Sequence, residues 1–345
     1  MCFRNPLAAR TLPATKRDYT PIDGSLIFRY DLSMKKRRDK HVPAFTLQMT
    51  LPQFERMFPD EDSCREYLMN QRWPKGVTCP RCGSGDNVYA LRTQRQPWKW
   101  ECRNPACISG HAYRFSVLVG TIFEDTKMPL RTWFWVLFLM LTSKKGISAL
   151  QIHRTIETGS YRTAFFICHR LRASLKDPEF RQLMGIVEVD ETGIGGKAIW
   201  RHKSAPKQRR GGWDKPTVIG AIARKGNVVC QMIESADIPT MTKFVRKVVD
   251  KEKVELVATD EHSGYFYLDK DGYKHETVDH RRGEYVRGVV HTNSMENFWS
   301  LLKRGIVGTY HHVSKKYLPL YLNEFSYRFN NRGNKDIFRD AVAGC

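Results

Sequence analysis

The chain has 345 residues, with 57 Lys and Arg against 36 Asp and Glu and a formal charge of +21 at pH 7. A hydrophobic fraction of 41% is that of a globular protein and excludes wholesale disorder. The longest apolar run, WFWVLFLML from Trp133, is far short of the roughly 18 residues that cross a bilayer, and no compact apolar leader opens the chain. These values point to a soluble protein with a polyanionic partner. Nucleic acid is favoured over membrane, because no basic amphipathic segment has a clean lipid-facing stripe.

Residues 1–45 carry ten basic and four acidic side chains, 46–184 carry twenty and twelve, and 185–345 carry twenty-seven and twenty. A surplus in every section implies a ligand that touches all of them. Residues 1–45, with the run KKRRDK from Lys35, have little periodicity and read as a basic, loosely ordered arm. Residues 46–78 form a short helical lead-in: TLPQFERMFPDEDSCREYLMNQRW reads as two helices broken at Pro59-Asp60, with Asp62 or Ser63 as a cap.

Residues 79–115 carry a cysteine pattern. Cys79-Pro-Arg-Cys82 is followed, after a gap of nineteen residues, by Cys102-Arg-Asn-Pro-Ala-Cys107, the spacing of a zinc ribbon whose two turns each present two thiolates. The second turn is two residues longer than usual, and His111 could replace Cys107. Four protein ligands leave no open position, so the zinc is expected to be structural. The other cysteines (Cys2, Cys64, Cys168, Cys230 and Cys345) are scattered and suggest no disulfide framework. Arg81, Arg92, Arg95, Lys99 and Arg103 would decorate a rigid ribbon able to lie on phosphates.

Residues 116–184 read as three helices. Pro129 opens LRTWFWVLFLMLTSKK, which Gly146 stops; ISALQIHRTIET follows, and Gly159-Ser160 precedes YRTAFFICHRLRASL. This is a helix-turn-helix-like DNA-binding layout, with Arg162 near the start of the recognition helix and His169, Arg170 and Arg172 further along it. From residue 185 to 333 the period switches. Strands GIVEVDE, TVIGAIARKG and NVVCQMIES, helix TMTKFVRKVVDK and strand VELVATD open an α/β, ribonuclease-H-like domain, and residues 334–345 are left as a tail.

Three carboxylates carry the chemistry. Asp190 ends the first strand, Asp260 ends the fourth, and Glu296 lies on the helix HTNSMENFWSLLKRG. Adjacent parallel strands would bring the two aspartates side by side, with the helix delivering the glutamate. Three acids in one place repel unless cations neutralise them, and two magnesium or manganese ions would both do so and promote phosphodiester cleavage. On the helix, Asn293, Glu296, Ser300 and Lys303 share a polar face, while Met295, Trp299, Leu302 and Ile306 share an apolar one. Lys303 and its neighbour Arg304 would hold the DNA backbone near the metals. The segment KAIWRHKSAPKQRRGGWDK, leaving from beside Asp190, has seven Lys or Arg against one Asp. It would clamp DNA through Arg209 and Arg210, with Trp200 or Trp213 stacking on an exposed base.

These stretches, with FSVLVGTIFEDTKMPLRTWFW, TDEHSGY, HTNSMENFWSLLKRGIVGTYHHVS and YLNEFSYRFNNR, resemble the insertion-sequence transposases that pair a zinc ribbon with a DDE catalytic domain, bacterial relatives of the Merlin transposons. The resemblance covers about residues 46–333. It implies that Asp190, Asp260 and Glu296 are the triad, with 35 residues between the last two. Related families place Asn in the third metal position, which makes Asn293 the alternative to Glu296. The resemblance further implies double-stranded DNA as partner (element ends and target), a homodimer or larger synaptic complex, no membrane, and a place beside the nucleoid in a bacterial cytoplasm. The competing readings are a non-catalytic zinc-ribbon regulator or domesticated remnant, and a plain nuclease or resolvase of the same fold.

Overall fold

Two reciprocal capping boxes start the helices nearest the ribbon. In α1 (Leu51–Met57) the Thr50 hydroxyl accepts from the Gln53 N–H and the Gln53 side chain accepts from the Thr50 N–H. In α2 (Glu61–Arg72) the partners are Asp60 and Ser63. The cap is therefore Asp60, not Asp62 or Ser63, because Asp60 has the extended backbone from which a short carboxylate reaches the N3 amide. The computed structural model describes residues 49–91, 98–108, 111–176, 181–195, 215–279, 282 and 286–345; the basic arm lies outside them.

Strands β1 (Val88–Ala90), β2 (Lys99–Cys102) and β3 (Tyr113–Ser116) form an antiparallel sheet in that order. Trp100 and Phe115 on its inner face stack at 6.0 Å, and Trp73 at the end of α2 meets Trp100 edge-on at 5.4 Å. Three helices follow, as expected: α3 (Leu130–Thr142), α4 (Ala149–Thr155) and α5 (Tyr161–Ser174). Ser148 and Ser160 cap α4 and α5. Helix α3 has Pro129 at its N-cap and no side-chain cap of its own; Glu61 of α2 accepts from the Leu130 and Arg131 amides at 2.9 and 3.0 Å instead.

The second half of the chain is a five-stranded sheet. Its elements are β4 (Leu183–Gly193), β5 (Thr217–Ala223), β6 (Val228–Ile233), α6 (Ile238–Val248), β7 (Val249–Asp260) and β8 (His275–Val278). The spatial order is β6-β5-β4-β7-β8, antiparallel through β6, β5 and β4 and parallel through β4, β7 and β8. Helix α6 covers one face, where Met241, Phe244 and Val245 share a core with Val187, Val189 and Ile219. The other face is covered by α7 (Asn293–Gly305), which runs on through a π-helical turn at Ile306–Tyr310, and by α8 (Leu318–Asn330). Central strands covered on both faces are rich in Val and Ile for that reason. The closing segment, expected as a tail, contains α9 (Ile337–Ala343); its Phe338 ring packs within 5.6 Å of both Phe58 and Phe134, in the core shared by α1, α2, α3 and the ribbon. Among the described residues no helix is long and apolar enough to cross a membrane.

A buried ion pair ties α5 to α8. Arg172 Nε donates to Glu324 Oε2 at 2.7 Å with both side chains sealed from solvent, and Tyr310 Oη donates to the same carboxylate at 3.3 Å. Arg172 is thus interior and not on a DNA-facing surface. His169 is buried too, stacked on Phe165 with ring centroids 4.0 Å apart, and the Arg170 guanidinium lies over the Trp133 and Phe166 rings. Helix α5 is gripped from two sides, by α3 and by α8, which leaves only a narrow strip of it facing water. Arg162, in its first turn, stays exposed. Arg172→Ala would leave the buried Glu324 carboxylate with only Arg328, 3.6 Å away, and the Tyr310 hydroxyl, at a cost of up to about 3 kcal/mol. It should lower the urea midpoint accordingly, whereas Arg162→Ala should leave the midpoint nearly unchanged.

Candidate active site and metal centre

Two tight turns assemble the thiols. Cys79 and Cys82 flank a turn closed by Gly83 N–H donating to Cys79 O at 2.8 Å, and Gly83 takes the left-handed φ of +74° that the turn requires. The longer second turn is accommodated by a 3-10 turn at Pro105–Cys107, where the Asn104 side chain accepts from the Ala106 amide at 3.0 Å. The Sγ atoms of Cys79, Cys82, Cys102 and Cys107 all lie within 4.8 Å of one another; Cys107, and not His111, completes the set. Burial works against a thiolate at Cys79, but the amides of Cys82 and Arg81 bring it down to about 7. At Cys107 burial and the neighbouring sulfurs push the thiol up to about 12. Four soft donors that resist ionising together are a donor set suited to a zinc ion, which would neutralise them.

The basic side chains around the ribbon are less free than their number suggests. Arg103 and Arg114 both pair with Glu101, at 2.8 and 3.1 Å, and Arg81 stacks over Tyr113. Lys99 is exposed, and Arg92 and Arg95 lie outside the described residues.

The parallel register of β4 and β7 has its last rung at Glu188 and Ala258, and Asp190 and Asp260 each follow two residues on. Asp260 closes β7, but Asp190 does not end β4 as expected, because β4 stays paired with β5 as far as Gly193. Asp190 Oδ2 accepts from Trp299 Nε1 at 3.0 Å, and its Oδ1 accepts from the Glu191 amide at 2.8 Å. Asp260 Oδ1 accepts from the His262 amide at 3.1 Å. Burial, then the charge of Asp260, then that of Glu191, raise Asp190 from 3.8 to about 7. These are hard oxygen donors whose mutual repulsion a divalent cation would relieve.

Helix α7 reaches this edge because Gly220, paired with Asp190 across the β4–β5 ladder, has no side chain. A Cβ there would lie 2.5 Å from Met295 Cε and 2.8 Å from Trp299 Cη2. As expected, Met295, Trp299, Leu302 and Ile306 are buried, with Phe298, while Asn293, Glu296, Ser300, Lys303 and Arg304 are exposed. Glu296 sits one turn before Trp299 with its carboxylate in solvent. Among the described residues, the only His, Cys, Asp or Glu group with all ligating atoms within 4.8 Å is the four-cysteine set, so Asp190, Asp260 and Glu296 do not form so tight a cluster. Trp200, Arg209, Arg210 and Trp213 lie outside the described residues.

Two acids beside Asp190 were not singled out in the sequence. Glu191 receives the Tyr265 hydroxyl at 2.7 Å, and burial followed by the charge of Asp260 lifts it to about 7. Glu188 is fully buried and accepts from the Ser294 and Met295 amides at 2.7 and 3.1 Å. The run Glu188-Val-Asp190-Glu191 in an otherwise apolar strand was the available signal: interior strands rarely carry three acids without a task for each.

Cys79→Ser should lower bound zinc below one equivalent, measured by metal analysis of the purified protein, and should loosen the ribbon core. At Asp190 the sign of the pH effect follows from the raised carboxyl. Asp190 holds its proton more tightly folded than unfolded, so its stabilising share is complete below about pH 4 and lost as pH rises through about 7. Metal-free Asp190→Asn should therefore melt above the unsubstituted protein at pH 8 and draw level with it only below about pH 4, by thermal scanning. An equal offset at both pH values would contradict the burial and repulsion described.

Residues 59–116 match the transposase zinc-ribbon domain family, and residues 182–330 match the ISXO2-like transposase domain family. A protein in the transposable element ISH50 of Halobacterium salinarum is 28% identical over 293 residues, spanning 82% of this chain and 93% of that protein. No solved structure matches the chain. By both matched segments, the chain belongs to the insertion-sequence transposases that join a zinc ribbon to an ISXO2-like transposase domain.

Proposed function

We propose that this protein is a DNA transposase that binds the terminal inverted repeats of its element, cleaves the ends and joins the freed 3′-hydroxyls to target DNA. The observation that carries the reading is the pair Asp190 and Asp260, each two residues past the last rung between the adjacent parallel strands β4 and β7, with α7 packed against Asp190. The strand order, antiparallel through three strands and parallel through the last two, supports a ribonuclease-H-like domain. Asp190, Asp260 and Glu296 would hold two magnesium or manganese ions, which when bound activate the attacking oxygen and stabilise the leaving one.

The remaining work falls to the chain. Trp299 fixes the orientation of the Asp190 carboxylate, and the Asp260 carboxylate is fixed by the His262 amide. Lys303, two turns beyond Glu296 on its exposed face, would grip a phosphate, with Arg304 beside it. Arg162 at the open end of α5 and the basic segment with Arg209, Arg210 and Trp213 would extend the contact along the duplex. The ribbon, held rigid by zinc, would present Lys99 to the element end. Joining two ends requires two active sites, so a homodimer or larger synaptic assembly is part of the reading.

Asp190→Ala and Asp260→Ala should each abolish end cleavage and strand transfer in Mg²⁺ while leaving end binding in a gel-shift assay within about twofold. Binding lost in parallel with cleavage would overturn the assignment. Glu296→Ala and Asn293→Ala, compared in the same assay, separate the two candidates for the third ligand: cleavage should vanish in the first and persist in the second.

A further inference from the structure

Every helix must find acceptors for the amides of its first turn, and α7 does not find them locally. Its N-cap, Thr292, makes no side-chain cap bond. The acceptor is Glu188, on the central strand two residues before Asp190 and therefore on the same face. Its Oε2 takes the Ser294 and Met295 amides at 2.7 and 3.1 Å, and its Oε1 takes the Ser294 hydroxyl at 3.0 Å and Arg224 Nε at 2.8 Å. His291 Nδ1 lies 3.2 Å from the same oxygen. Arg224 in turn reaches His291 O at 3.2 Å, closing a ring around the helix start. A buried charge is tolerable here because a guanidinium and the positive end of a helix both face it.

One turn further along, Trp299 Nε1 donates to Asp190 Oδ2 at 3.0 Å. Two acids spaced i, i+2 on β4 thus hold α7 at 294–295 and at 299. Two such points fix the helix in both translation along its axis and rotation about it. Glu296 lies in the turn between them, and its own backbone is tied to Thr292 O at 3.0 Å.

We infer that Glu188 is a positioning residue: it sets where Glu296 stands relative to Asp190 and Asp260, and so tunes the affinity of the site for a divalent cation without touching the cation. This rests on the triad reading above. The interior needs no carboxylate for packing at that position; what it receives is a rigid link between the strand that carries one proposed ligand and the helix that carries another.

The test is Mn²⁺ binding by the full-length protein, followed by calorimetry, with a gel-shift on element-end DNA in parallel. Glu188→Gln keeps an acceptor oxygen for the helix amides but loses the charge that holds Arg224, so the fold is retained, as circular dichroism should verify. Mn²⁺ affinity should fall by about 10- to 100-fold, the range for residues that orient a ligand, with end binding unchanged. Glu296→Ala should lower Mn²⁺ affinity by itself, and adding Glu188→Gln to it should cost little more, since there is no ligand left to position. A purely structural role predicts a lower melting temperature with Mn²⁺ affinity intact, which would overturn the inference. So would a full additional loss in the double variant. Unaltered Mn²⁺ affinity in Glu296→Ala alone would instead remove the triad reading, and the positioning role with it.

Discussion

Helix α7 comes close enough to the sheet for an indole to hydrogen-bond an aspartate on the central strand, and much of the second half of the chain is arranged around that approach. It needs a missing side chain at Gly220, where even a methyl group would collide with Met295 and Trp299. It needs an acceptor for the helix amides, which Glu188 supplies from the strand itself. It also needs the opposite face of the sheet to be filled, which α6 does with Met241, Phe244 and Val245. A helix held this way can present an exposed polar face, from Asn293 through Glu296 to Lys303, at a fixed place beside Asp190.

Acidic residues are the minority in this chain, and several of them are used as internal fastenings. Glu61 caps α3 from α2, Glu188 caps α7 from β4, and Glu324 receives Arg172 across the boundary between the three-helix region and the sheet. Each replaces a local cap or a local packing contact with a link between distant segments. Such links remove the independence of the pieces they join. The three helices are therefore not a detachable reading head: α5 is bolted to α8, α8 packs with α7, and α9 returns to the core beneath α1 and α3.

The cysteine cluster and the proposed acidic site share one electrostatic logic with different donors. In the ribbon, backbone amides bring Cys79 down to about 7 against its burial, while burial and the neighbouring sulfurs drive Cys107 to about 12. At Asp190 and Glu191, burial first and the charge of Asp260 second raise the carboxyls to about 7. Soft, closed and tetrahedral donors suit zinc as a structural staple; hard, partly open oxygen donors suit an exchangeable divalent ion that meets substrate.

Much of this was legible in the chain as written. The cysteine spacing, the three helices of residues 116–184, the alternation of β4 to β7 and the apolar stripe of α7 are local patterns, and local patterns survive without knowledge of the fold. The carboxylates Asp190 and Asp260 were recognisable as acids following apolar strand residues, although β4 runs three residues beyond Asp190 to Gly193. What tertiary structure alone decided was the use of each charge. Arg172 and His169 share the composition of a DNA-facing helix yet lie inside, because two other helices grip α5. The closing dozen residues have the look of a tail, yet Phe338 completes a core built by residues almost three hundred positions earlier. Glu188 and Glu191 look like solvent-facing neighbours of Asp190, yet one is sealed beneath a helix start and the other is bound to Tyr265. Periodicity and spacing report what a segment is; whether a charged group faces water, a partner charge or a helix end depends on which distant segment folds against it.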